Sequence, residues 1–203
     1  MKAIDSIMKW PFVYRIWMAT HSDQKFLPIL AHNNLRRVRR VLDVGCGPGT
    51  NTSQFSGNDY LGIDWNERYI RRAQNRYHRQ FAVCDVTTLQ VSDAHKFDFI
   101  LVNSLLHHLD IESTKRLLMH LSKLLTGDGH VHVIELILPS NFSLPWILAK
   151  ADRGEFPRAF DDWNTIFKEF FDQVVFEPFD VDFFGISFWN LVYFKGRAKR
   201  SPL

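Results

Sequence analysis

The chain has 203 residues, 46% hydrophobic and 23% charged, with a formal net charge of +3. That length suits one α/β domain with a full core and leaves little room for two. So small a net charge neither demands nor excludes a nucleic-acid partner. The two cysteines, Cys46 and Cys84, set no disulfide framework and no C-x-x-C pair, so a reducing, cytoplasmic setting is expected. No apolar run reaches membrane-spanning length, and the N-terminus has charges and a proline where a signal peptide needs an apolar stretch.

Residues 3–19 place Trp10, Phe12, Val13, Ile16 and Trp17 at near-helical spacing, interrupted by Pro11. A second helix is expected over 23–35, followed by four arginines, read as a solvated sheet edge. From residue 40 strands and helices alternate. "RVLDVG" predicts the first strand, with a short helix from about Gly49, and "YLGID" the second. "NERYIRRAQNRYHR" has helical spacing, with Tyr69, Ile70, Ala73 and Tyr77 facing in. "FAVCDV" and "FDFILVNS" predict strands three and four. A helix over 111–125 buries Leu117, Leu118, Leu121, Leu124 and Leu125 and is expected to stop at Gly127 and Gly129. "HVHVIELIL" predicts strand five. Residues 140–171 read as a long helical excursion, in a region whose many Phe suggest either a lid or a Phe-rich core. Two last strands, "QVVFEPFDV" and "ISFWNLVYFKG", are joined too closely for a crossover, so they must be antiparallel. The fold class is α/β: a Rossmann-like, seven-stranded, mainly parallel sheet with an antiparallel last strand and helices on both faces. One domain is expected, comprising an N-terminal helical lid (1–38), a cofactor-binding core (40–137), a helical substrate insertion (139–171) and a terminal strand pair (172–196).

The first glycine turn, "VLDVGCGPGTN", lies where open α/β sheets bind ligands. A dinucleotide needs G-x-G-x-x-G, but Thr50 stands at the third glycine's position. Asp43 would also repel an anion. A cationic nucleoside reverses the argument: S-adenosyl-L-methionine carries an ammonium and a sulfonium and no phosphate, so Asp43 can favour it directly or through water. Asp64, about twenty residues on, can take the ribose hydroxyls. Asp85, ending the third strand, can accept from the adenine amino group, with Trp65 and Val86 sandwiching the ring.

The segments "VLDVGCGPGT", "YLGIDWN", "FAVCDVTTL", "FDFILVNSLLHHL" and "GDGHVHVIE" resemble the class I S-adenosylmethionine-dependent methyltransferases of small-molecule type. The resemblance covers residues 40–137. It implies that Asp43, Gly45, Gly47 and Gly49 surround the methionine portion, with Asn51 beside them, that Asp64 meets the ribose and Asp85 the adenine, and that Asn103 lies near the sulfur. S-adenosyl-L-methionine is the cofactor implied, and S-adenosyl-L-homocysteine its product. The Asn-Pro-Pro-Tyr type motif of amino-methylating nucleic-acid enzymes is absent, which points to a small-molecule partner instead of a nucleic acid.

Methyl transfer needs an aligned nucleophile, and a hydroxyl nucleophile gains from a base. His107 and His108 follow strand four, near the expected methyl position, and are the candidate catalytic pair. Tyr14, Trp17, His21, Trp146 and Arg153 are candidate substrate residues. Lys25 and Arg15 are candidates to meet the methionine carboxylate, and Arg158 to read an acidic or aromatic substrate. Asp161 and Asp162 sit away from the strand-end loops, so no metal is expected. The expected acceptor is a small aromatic or hydroxylated metabolite. An RNA or protein acceptor, or a cofactor-binding protein that does not methylate, remain the competing readings.

Overall fold

The computed structural model describes residues 24–90, 92–152 and 154–199. The expected first helix, with Tyr14, Arg15, Trp17 and His21, lies outside the described residues, as does Arg153. Seven strands form one sheet: β1 (Arg40–Val44), β2 (Asp59–Asp64), β3 (Gln80–Val83), β4 (Phe97–Asn103), β5 (Leu125–Leu136), β6 (Phe171–Phe183) and β7 (Ile186–Ala198). Their order is β3-β2-β1-β4-β5-β7-β6. All pairings among β1 to β5 are parallel, and β7 runs antiparallel to both β5 and β6. The chain moves outward from β1 to β3 and then returns to β4. The order therefore reverses between β1 and β4, and the crevice at their carboxyl ends is the natural ligand site.

The central strands are apolar on both faces because helices cover both. On one face Leu42, Val44, Ile100 and Val102 pack against Leu117, Leu118 and Leu121 of α3 (Ile111–Leu124) and Trp163 and Phe167 of α5 (Phe160–Phe170). On the other, Val41, Phe99 and Leu101 meet Phe26 and Ile29 of α1 (24–32), Ile70 and Ala73 of α2 (Glu67–Arg76), and Leu148 of α4 (Leu144–Ala151). Much of the late aromatic weight is core. Phe167 stacks on Phe194 at 4.7 Å and Phe160 on Phe176 at 4.4 Å. Truncating a ring as buried as Trp163 costs about 3–5 kcal/mol. No helix among the described residues is long and apolar enough to cross a membrane.

Four local expectations need correction. The turn after β1 enters a short 3-10 segment, Thr52–Phe55, held by i→i−3 bonds such as Thr52 N to Gly49 O at 3.2 Å. Helix α3 passes straight into β5 at Leu125, so Gly127 and Gly129 lie inside the strand; neither has the left-handed backbone of a helix stop. Tyr69, expected to face in with Ile70, is 39% exposed at the cavity rim. The excursion over 140–171 is two helices. Ser143 caps the first, its Oγ accepting from Trp146 N at 3.3 Å. Between them Arg158 O accepts from Leu138 N at 2.8 Å.

Candidate functional site

The glycine turn needs left-handed backbone at three places: φ is +69° at Gly45, +55° at Gly47 and +82° at Gly49. Side chains disfavour that region. A Cβ at Gly45 would also press on Leu105 at 3.1 Å and one at Gly49 on the Tyr77 ring at 2.8 Å. At Gly47 a Cβ would meet only open space: this glycine faces the cavity. The turn is tied to β2 by Gly45 N and Cys46 N, which both donate to Ile63 O at 2.8 and 3.0 Å. Asp64, 8% exposed, completes the tie by accepting from Gly47 N at 3.0 Å and from Asn66 N at 2.8 Å.

Asp43 lies behind this turn and is fully buried. Its Oδ2 accepts from Tyr60 Oη at 2.8 Å and from Asn51 Nδ2 at 3.4 Å, while Asn103 Nδ2 donates on to Asn51 Oδ1 at 3.2 Å. Its Oδ1 has no hydrogen-bond partner among the described residues. Burial raises its carboxyl to about 6, against the opposing pull of the Tyr60 and Asn51 bonds. A buried, half-satisfied carboxylate favours a cation nearby. Asp85 caps a 3-10 turn, accepting from Thr87 N at 2.9 Å and Thr87 Oγ1 at 2.7 Å. These bonds hold its carboxyl below the usual range.

A cavity of about 940 Å³ runs from these acids to the loop after β4. There Glu135 of β5, wholly buried, accepts from Leu105 N at 2.7 Å and Leu106 N at 2.6 Å through Oε1, and bonds His107 Nδ1 at 2.7 Å through Oε2. The other ring nitrogen, Nε2, is 3.3 Å from Asp152 Oδ1. Burial opposes a charged ring, yet Glu135 and Asp152 outweigh it and raise His107 to about 9. Burial likewise opposes ionised Glu135, but His107 and the two backbone N–H groups hold it below the usual carboxylate range. His108 is exposed to the cavity, its ring 4.3 Å from that of His107. Lys25 lines the same end, its Nζ donating to Ser104 Oγ at 3.2 Å, and burial lowers its ammonium from the ordinary lysine value, against the pull of Glu135 and Asp152.

The segment after α4 fastens the histidine loop from outside. Gly154 lies so close to His107 that a Cβ there would overlap the ring. Phe156 N donates to His107 O at 2.9 Å. Arg158 donates to Leu106 O at 3.1 Å and Leu109 O at 2.7 Å, the carbonyls on either side of the histidine pair, and its guanidinium lies 4.8 Å from the Trp163 ring centre.

Residues 41–129 match the methyltransferase domain family. An uncharacterised methyltransferase of Mycobacterium tuberculosis is 33% identical over 105 residues, covering 49% of this chain and 52% of the relative. This core is similar to methyltransferase domains, and the match covers less than half of the chain. The trans-aconitate 2-methyltransferase of Methylobacterium radiotolerans is 31% identical over 122 residues, 58% of this chain and 44% of that protein. The chain thus matches about half the length of these curated relatives. The N-methyltransferase NodS from Bradyrhizobium japonicum, in complex with S-adenosyl-l-homocysteine, has the same fold at TM-score 0.67 and 19% identity, over 95% of this chain and 91% of that one.

Gly45, Gly47, Asp64, Trp65, Asp85 and Val86 line the cavity, as do His107 and His108. Asp43, Gly49, Asn51 and Asn103 stand behind it as support. Trp146, expected at the substrate, instead packs on Phe142 at 5.3 Å and does not line the cavity. Arg158, expected to read a substrate, is consumed by backbone carbonyls. His107 was expected as a base, but both its ring nitrogens face carboxylates, which leaves no lone pair to accept a proton. Sequence reasoning missed Glu135, Trp189 and Leu191. The signal for Glu135 was present: one acid in the otherwise apolar run "VIELIL" has to be paired if it is buried.

Proposed function

We propose that this chain transfers the methyl group of S-adenosyl-L-methionine to a small acceptor held between the β4 loop and β7. The observation that carries the reading is the open Gly47 position on a cavity that Asp64 and Asp85 also line. Asp64 is the candidate ribose partner. Trp65 and Val86 flank the adenine position, near Asp85. The sulfonium supplies an activated methyl carbon when the cofactor is bound, and the protein's part is to align the acceptor and exclude water. A small acceptor is favoured by the cavity's volume, within the roughly 300–1,000 Å³ usual for such ligands, and by its apolar far wall of Leu136, Trp189 and Leu191. The trans-aconitate enzyme, by its name, also methylates a small molecule. Residues 1–38 and 139–171 serve in this reading as the cover of the acceptor. His107 anchors the loop, and His108 is the member of the pair that meets the acceptor.

Calorimetry with S-adenosyl-L-homocysteine tests the first half: one site per chain is expected, with no competition from a nicotinamide dinucleotide. Incubation with methyl-labelled cofactor and a metabolite extract tests the second. Label recovered in small molecules is expected; label only in macromolecules overturns the acceptor class.

A further inference from the structure

We propose that His107, His108 and Asp152 bind a divalent transition-metal ion at the acceptor end of the cavity, with buried Glu135 orienting His107. The ligand atoms of the three side chains all lie within 4.8 Å of one another, and all three residues line the cavity. His107 Nε2 and Asp152 Oδ1 stand 3.3 Å apart. Two ligands each about 2.1 Å from one ion are separated by roughly 3.0–3.4 Å, so this pair already has the spacing of neighbouring ligands.

The surroundings have the form of a metal site's supporting shell. A ligating histidine donates its other ring N–H to a carboxylate, which fixes the tautomer and the ring direction. Glu135 does this at Nδ1, and is itself fixed by Leu105 N and Leu106 N. Nε2 is thereby turned toward Asp152. That carboxylate is steadied by Gly154 N, which donates to Oδ1 at 2.9 Å. Gly154 closes over the ring, and Arg158 braces the backbone on both sides of the pair. Two imidazoles and one carboxylate suit Zn²⁺, Fe²⁺, Co²⁺ or Mn²⁺ and leave positions open for exchangeable ligands. On binding, His107 Nε2 exchanges its proton for the ion and the proton leaves to solvent. If the methyl-transfer reading holds, on which this last step rests, a hydroxylated acceptor coordinated there is acidified and oriented without a free histidine base.

The test uses the full chain, free of any affinity tag and stripped with EDTA, in equilibrium dialysis against Zn²⁺, Mn²⁺ and Co²⁺. One ion per chain is expected for at least one of these metals, with visible d–d bands for Co²⁺. His108→Ala removes an exposed ligand, so the fold survives, and should weaken that ion's binding at least tenfold. Glu135→Gln, which never touches the ion, should weaken it about 10–100-fold, provided thermal melting confirms a folded chain. His130→Ala, at a histidine paired with Arg197, should change nothing. Failure to retain any ion overturns the proposal, as does binding that His108→Ala leaves unchanged. Calorimetry with S-adenosyl-L-homocysteine on the stripped chain separates the two readings: cofactor binding with no ion sinks only the metal, and an ion with no cofactor binding sinks only methyl transfer.

Discussion

The two ends of the cavity are built in different ways. At the cofactor end the site is backbone: three left-handed glycines, tied to the neighbouring strand by main-chain bonds and one carboxylate, all within residues 43–66. At the acceptor end it is side chains from distant segments. Glu135 of β5, His107 after β4, and Asp152 and Arg158 beyond β5 meet over separations of 28 to 52 residues. Local chemistry makes the first end rigid, and charge pairing in a dry interior makes the second. The two should therefore break differently.

The largest effect is expected at the acceptor end. Glu135→Ala removes the partner of a buried cation and strands two backbone N–H groups. Breaking a buried ion pair from one side costs about 3–5 kcal/mol. Denaturant unfolding should show a loss of that size. A loss below about 1 kcal/mol would mean that water fills the vacancy and that this end is not the tightly coupled unit described above.

At the cofactor end Asp64→Ala should damage the ligand more than the fold. It frees Gly47 N and Asn66 N near the cavity, where water can reach them, and removes a charged acceptor. Hydrogen bonds to charged groups contribute about 1.5–3 kcal/mol, so calorimetry with S-adenosyl-L-homocysteine should show a ten- to hundredfold weaker affinity. Unchanged affinity would remove Asp64 from the ribose assignment.

Asp43 lies between these extremes and has a pH signature. Its folded carboxyl titrates near 6, above its ordinary value of 3.8. Between those values the folded state holds more protons than the unfolded chain. The Asp43 contribution to stability therefore falls as pH rises through that window and is flat above it. Asp43→Asn should gain relative to the wild type as pH rises from 4 to 7, by on the order of 2 kcal/mol, and should weaken cofactor binding at pH 7. A stability difference that is flat with pH would show that Asp43 is not strained by burial.

The same contrast explains what was legible beforehand. The seven strands and their directions were readable because strand and helix periods alternate locally and a short turn, here Phe184-Gly185, forces the last pair antiparallel. Asp64 and Asp85 were readable because strand ends set their position. Glu135 and Arg158 were not, since their roles depend on which loops the fold brings against them. Arg158 looked like a substrate reader amid aromatic residues. It became a brace because the chain after α4 returns to pair with Ile137 and Leu138. Trp146 likewise sits on a helix that turns its ring toward Phe142, a contact no local pattern announces.

The smallest expected effect is at Trp65, and it bears on how much the cofactor end relies on side chains at all. The residue is 82% exposed at the rim beside Asp64. Its truncation should leave stability within about 0.5 kcal/mol, as for surface positions generally. If the indole covers one face of the adenine, Trp65→Ala still gives up a stacking contact of about 0.5–1.5 kcal/mol, a three- to tenfold loss of affinity for S-adenosyl-L-homocysteine. Sinefungin, which keeps the adenosine, should lose affinity by the same factor, whereas a methionine fragment should lose none. A wild-type affinity for all three would mean that backbone and carboxylates alone hold the nucleoside, and would make the contrast between the two ends sharper than drawn above.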